Sequence, residues 1–274
     1  MKPDAAELQQ LAPEVPSRLI AEHMARLEES YFQRFEPPAI AAHLRGLAQL
    51  SPLNPAETLI DHRPDGRIDC TLLGFDAPAL FSLATGILMS LGFSISSGDA
   101  FTYAPAMGPA RRSRERPNPY VRRRVVDSFA GKLAASEPMD AWAVELRERL
   151  RRTVGLLERR GPDGQHEARQ QVNEWVTERL ERIGPARPRS PFATEVQLEP
   201  LASASLRLRV ESEDTPAFLY SLSAALALHD VAIKRVHIET VDGHVSDQLD
   251  VELPSAGQPL WHEDQLRMAV LLTK

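Results

Sequence analysis

Apolar residues recur every three or four positions at the start of the chain. Ile20, Met24, Leu27 and Tyr31 form one stripe and Ile40, Leu44, Leu47 and Leu50 a second, which predicts helices. Pro37-Pro38 suits a first helical turn, and residues 51–55 (SPLNP) stop the second stripe. A helical N-terminal subdomain is therefore expected over residues 1–60, followed by the turn-rich segment 61–66 (DHRPDG). The period then drops to two. Ile68, Cys70 and Leu72 alternate with Asp69 and Thr71, predicting a strand over 67–75. Asp76 as N-cap and Pro78 in the first turn open a helix with the stripe Leu80, Leu83, Ile87, Leu88 and Leu91, which Gly92 closes.

Two more strands are expected over 93–103 and 120–129, on either side of a loop rich in proline and arginine. A long helical segment carries Trp142, Leu146, Leu150, Val154 and Leu157 on one face. Gly161-Pro162-Asp163-Gly164 breaks it, and Val172, Val176, Leu180 and Ile183 resume the period in a second helix. Pro185, Pro188 and Pro191 form a stiff connector, and 194–198 (TEVQL) is a short strand. Strand, helix, strand, strand, helix, strand is the split βαβ arrangement. It starts again at Leu206, Leu208 and Val210, followed by a helix capped by Asp214 and carrying Phe218, Leu222 and Leu226. Strands over 231–240 and 245–253 flank the hairpin signal Asp242-Gly243, and Trp261, Gln265, Met268 and Leu272 mark a last helix.

The two passages match in residues as well as order. Asp76-Ala77-Pro78-Ala79 returns as Asp214-Thr215-Pro216-Ala217, and Ile95 and Ile233 follow the two prolines at the same distance. Val126-Asp127-Ser128-Phe129 is echoed by Val245 with Ser246-Asp247-Gln248-Leu249. The predicted fold class is α+β: two ferredoxin-like βαββαβ modules behind a helical N-terminal subdomain, with a long helical insertion. Module 1 spans 66–199 with a helical extension at 138–184, and module 2 spans 200–274. The last helix is still running at Leu271-Leu272, so module 2 is expected to lack its fourth strand and the natural polypeptide to continue past Lys274.

These motifs resemble the tandem ACT domains of bacterial PII uridylyltransferases and related nitrogen-control nucleotidyltransferases. That family's pattern is an Asp-x-Pro-Gly turn, a helix, an Ile-opened second strand and a Val-x-Asp-x-aromatic third strand. The second copy matches best, in Asp214-Thr215-Pro216-Ala217-Phe218-Leu219-Tyr220 and Ile238-Glu239-Thr240, and the resemblance covers roughly residues 66–274. It implies a non-catalytic regulatory region that senses an amino acid, glutamine first, and controls a nucleotidyltransferase domain. The implied ligand-binding residues are Asp76, Ala77, Pro78 and Ala79 and, in the second copy, Asp214, Thr215, Pro216 and Ala217. The family's turn ends in glycine, which lets a bound amino acid approach the backbone; Ala79 and Ala217 each add a methyl there. The modules are expected to pack sheet to sheet, within the chain or in a homodimer. The alternative reading is a protein–protein interaction module with no small-molecule ligand.

Composition narrows the classes. A net charge of −6 argues against a nucleic-acid or membrane-surface binder. The local exception, Arg111, Arg112, Arg114, Arg116 and Arg122-Arg123-Arg124, is read as a solvated loop leading into an edge strand protected by charge, the alternative being a surface for an acidic or nucleotide-bearing partner. Cys70 is the single cysteine, which leaves no intrachain disulfide and no cysteine-rich zinc site. No signal-peptide core and no uninterrupted apolar span of membrane length occur, so a cytoplasmic location is expected. Neither cofactor nor metal is expected. The Gly-Ser turn with paired carboxylates that nucleotidyl transfer needs is missing, and Ser97-Gly98-Asp99 reads as a bulge or bend. His229-Asp230 falls where the repeat predicts a helix C-terminus, the alternative being a metal-binding dyad of a hydrolase or transferase, and His237-Ile238-Glu239 reads as a solvated face or a contact between modules.

Overall fold

The computed structural model describes residues 2–105, 123–134, 138–184, 194–201 and 205–253, with backbone alone at 159–162. The opening residues form α1 (Ala5–Leu11), α2 (Ser17–Arg26), α3 (Glu29–Arg34) and α4 (Pro37–Ala48). The Asp4 carboxylate caps α1 by accepting the Glu7 N–H at 2.7 Å, and Pro37 stands in the first turn of α4 as expected. The inward faces of these helices bury Leu8, Ile20, Tyr31, Phe32, Ile40 and Leu44. At their centre a chain of hydrogen bonds runs from Tyr103 Oη to His23 Nδ1 (2.6 Å), from His23 Nε2 to Tyr31 Oη (3.0 Å), and on to His43 Nδ1 (2.7 Å).

Among the described residues eight strands form one antiparallel sheet: β1 (Ala56–His62), β2 (Ile68–Phe75), β3 (Phe93–Thr102), β4 (Arg124–Leu133), β5 (Glu195–Pro200), β6 (Ser205–Glu213), β7 (Ala232–Val241) and β8 (His244–Glu252). Their order is β1-β2-β4-β3-β7-β8-β6-β5. The connectivity repeats, since β1-β2-β4-β3 and β5-β6-β8-β7 are built alike and meet where β3 pairs with β7, Ala100 opposite Val236. The sheet-to-sheet association expected within the chain is thus present as a continuous ladder. Even the irregularities repeat, with a bulge between Ile95 and Ser97 in β3 and another between Ile233 and Arg235 in β7. The first falls at Ser96, so Ser97-Gly98-Asp99, expected to be a bulge or bend, is instead regular strand, opposite Ala130, Phe129 and Ser128 on one side and Glu239, Ile238 and His237 on the other.

Helices α5 (Leu80–Ser90), α6 (Met139–Ile183) and α7 (Phe218–Leu228) share the inner face of the sheet. The N-terminal helices cover the outer face of the first half only. Strands β2, β3 and β4 are apolar on both sides there: Leu72, Ala100 and Val125 face the inner core, while Leu73, Phe101 and Val126 join the outer one. In the second half, inward Leu208, Val210, Leu249 and Val251 alternate with Arg207, Arg209, Gln248 and Asp250, so that outer face needs no cover.

Several expectations are corrected. Residues 56–62 form β1 and lie outside the helical subdomain; they pair with β2 from Ala56 opposite Gly74 to His62 opposite Ile68. The strand expected at 194–198 is β5, which pairs with β6 rather than completing module 1. The position expected to be vacant in module 2 is therefore filled, because each half takes its outermost strand from upstream of its first core strand. β4 is an interior strand between β2 and β3, and Arg124 on it is buried; the sheet edges are β1 and β5. The helix expected at Trp261 to Leu272, the prolines at 185–191 and the arginines at 111–122 lie outside the described residues.

Helical backbone runs through Gly161-Pro162-Asp163-Gly164 without interruption, yet the run reverses direction there. The Arg149 guanidinium lies 4.5 Å from the centroid of the Trp175 ring, a pair that a straight helix would hold about 39 Å apart. Arg149 also donates to Ser90 Oγ at 3.0 Å at the end of α5, where Gly92 faces the Arg179 guanidinium from the other arm. α6 is thus a helical hairpin, and its two arms bury Leu146, Leu150 and Val154 on one side and Ala168, Val172 and Val176 on the other against α5.

Candidate functional site

The residues expected to hold a ligand begin at the turn before α5. Asp76 and Asp214 do not cap the helices. The N-caps are Ala79 and Ala217, in left-handed conformation at φ 63° and φ 66°, with no side-chain cap. The chain needs a left-handed residue there because it must turn abruptly from strand to helix, which is why glycine suits the position and alanine costs about 1 kcal/mol. The two turns are held by matching backbone bonds. The Asp76 and Asp214 N–H groups each donate at 2.8 Å, to the Arg123 and Gly243 carbonyls, and Leu80 and Phe218 donate to Ala77 and Thr215 at 3.1 and 3.0 Å. Freed from capping, the Asp76 carboxylate pairs with Arg123.

A cavity of about 650 Å³ opens over the first turn of α5. Asp76, Ala77, Pro78 and Ala79 all line it. Asp127, Ala100 and Val125 form its floor, the reversal of α6 contributes Leu157, Glu158, Gln165 and Arg169, and the second half contributes Asp230 through Lys234. The size falls within the range typical of small-molecule sites, and the walls come from both halves of the sheet. Asp214, Thr215, Pro216 and Ala217 are not among its lining residues. Around their helix the second arm of α6 packs closely, with Tyr220 Oη donating to Asn173 Oδ1 and Val172 and Tyr220 both against Gly86.

The residues that the motif search passed over are Asp127, Arg123, Glu158, Arg169, Asp230 and Lys234. Asp127 carried a signal, since it recurs as Asp247. Burial, the neighbouring Asp76 carboxylate and one opposing Phe101 N–H together push Asp127 up to about 8. In the second half, burial and Asp214 push Asp247 up to about 7 against the Glu239 N–H. At neutral pH the Asp127 carboxyl therefore keeps its proton and can serve as a hydrogen-bond donor in the cavity floor.

Those two groups bind protons that the unfolded chain releases, so their contribution to stability is full below the ordinary carboxyl value and is lost as pH rises toward 7–8. Burial holds His23 at about 3 and His43 at about 4, which acts in the opposite sense, with stability gained as pH rises to the ordinary histidine value. The two effects oppose each other up to about pH 6.5, and above it the carboxyls act alone. Urea denaturation should show stability falling between pH 6.5 and 8, with Asp127 contributing on the order of 1 kcal/mol per pH unit. Asp127→Asn should remove that share of the slope.

Other polar clusters are structural in geometry. His237 Nδ1 lies 2.9 Å from Asp99 Oδ1, and Arg34 Nε donates to Asp99 Oδ2 at 2.7 Å, which ties the two halves and α3 together at the seam. His229 is the C-cap residue of α7, at the helix end where the repeat placed it. Cys70 is buried and its thiol is pushed up to about 12 by desolvation. Among the described residues no group of three or more His, Cys, Asp or Glu side chains could hold a metal ion, and no helix is long and apolar enough to cross a membrane. No family model matches the chain, and no curated protein matches it.

Proposed function

We propose that this chain is a regulatory region in which two ferredoxin-like, ACT-like halves share one sheet and take up an amino acid at the seam between them. The observation that carries the reading is the cavity over the α5 turn, lined by all four residues that the resemblance assigns in the first copy. The strand order supports it. β2-β4-β3 and β6-β8-β7 occupy the positions of strands one, three and two of a βαββαβ unit, with α5 and α7 as the first helices and β1 and β5 in the place of strand four. The amides of the first turn of α5 beyond Leu80, whose own N–H is taken by the Ala77 carbonyl, suit a ligand carboxylate. By the same resemblance the regulated activity is a nucleotidyltransferase of nitrogen metabolism, and glutamine is the first ligand to test.

Isothermal titration of the chain with each of the twenty amino acids is expected to give saturable heat for one or a few of them. Arg123→Ala, which frees the Asp76 carboxylate beside the turn, should weaken that binding about tenfold or more. A folded protein that gives no heat with any amino acid would favour the ligand-free interaction module instead.

A further inference from the structure

We propose that the occupant of the cavity carries a primary ammonium group and that the Asp127 carboxyl receives it. The inference rests on the amino-acid reading above and narrows it, since a floor residue rather than the helix turn selects the ligand.

Asp127 projects from the inner face of β4 into the cavity floor and is 3% exposed. The charged groups around the cavity come from four directions. Asp76 and Arg123 precede α5 and β4 and pair with each other; Glu158 and Arg169 come from α6; Asp230 follows α7; Lys234 comes from β7. Arg169 is engaged with the Ala227 carbonyl at 3.3 Å, and Lys234 with Glu252. With Asp127 protonated, the three acids and three bases cancel. A zwitterion fits such a lining, whereas a polyphosphate would find no surplus positive charge. Burying a carboxyl beside another acid is costly, and the chain does so twice, because Asp247 repeats the position and its Oδ1 is buried without a hydrogen-bond partner.

An ammonium group at Asp127 favours the charged carboxylate. The carboxyl then loses its proton to bulk solvent and pairs with the cation, so one ligand binds and one proton leaves. The ligand carboxylate is left to face Arg169 and the amides of the first turn of α5 beyond Leu80.

Calorimetry with L-glutamine and the other nineteen amino acids, each alongside its N-acetyl derivative, tests this on the whole chain. The amino acid that binds should lose about 100-fold or more in affinity on N-acetylation. Repeating the titration at pH 7 in buffers of different ionisation heat should read close to one proton released per ligand. The dissociation constant should fall about tenfold per pH unit between pH 6 and 8. Asp127→Asn should abolish the proton release, while Asp247→Asn, in the other half, should leave it in place; near-ultraviolet circular dichroism checks that both variants are folded. Saturable binding that ignores N-acetylation, or that releases no proton, overturns the role of Asp127 and leaves amino-acid binding standing. No binding by any amino acid overturns the amino-acid reading itself and this inference with it.

Discussion

Gly131→Val is expected to destabilise the protein by about 3 kcal/mol, enough to unfold much of a marginally stable domain. Gly131 lies in β4 opposite Ile95, where the bulge in β3 brings the neighbouring strand unusually near. A Cβ built there runs into the Ser94 carbonyl oxygen and comes within 2.9 Å of Phe93 Cζ. The first obstacle is backbone and the second is a ring stacked on Trp142 at 5.4 Å, so neither yields cheaply. The strands must part, and β4 is the central strand of the first half. Urea denaturation read by circular dichroism should show the midpoint falling sharply. Gly66→Ala is the contrasting control: Gly66 has open space around it, but its positive φ of 80° sets a cost near 1 kcal/mol. If Gly131→Val proves as mild as Gly66→Ala, the close approach of β3 and β4 is wrong.

Tyr31→Ala should cost more, about 4 kcal/mol or above. Tyr31 is fully buried and its ring meets Phe32, Phe35 and Phe101 at 5.1 to 5.3 Å, so truncation leaves a void where α3 meets the outer face of the sheet. Its hydroxyl bridges two imidazoles, donating its proton to one ring nitrogen and accepting an N–H from the other. Tyr31→Phe keeps the ring and removes this bridge, leaving His23 Nε2 and His43 Nδ1 without that partner at a cost of about 2 kcal/mol. The two variants divide packing from hydrogen bonding. If the helical layer were only loosely attached, Tyr31→Phe would leave the denaturation midpoint unchanged.

Much of the fold could be read from spacing. The stripe through Leu80, Leu83 and Ile87 became α5, and the alternation of Leu208 and Val210 with Arg207 and Arg209 became β6. Asp242-Gly243, both at positive φ, makes the hairpin between β7 and β8. Half of the candidate site was legible through its turn, Asp76 to Ala79. The other half was not, because Asp127, Arg169 and Lys234 stand far apart in sequence and share no motif spacing; only the folded sheet brings them to one cavity. β1 was missed for a local reason. Its seven residues follow a helix stop and lead into a turn, and their burial fades from Ala56 to His62, so the alternation is too short and too faint to stand out.

The periodicity of apolar residues by itself determined the order of the helices and strands from β2 to β8, and the recurring Asp-x-Pro turns, with Ile95 and Ile233 at equal distance after them, showed the repeat. These follow from local sterics and from the two spacings of the backbone. What only tertiary structure decided was partnership. Whether residues 194–200 complete the first half or the second depends on a hydrogen-bonding edge, and any antiparallel edge accepts a short strand; β6 offered it nearby, whereas the matching edge of β2 was already held by β1. The pairing of β3 with β7 is likewise a long-range choice, and it brings the end of α7 across from the start of α5 to enclose the cavity. Local sequence sets each strand's faces, but the closing of one strand on another is fixed by which edges remain free when the chain folds.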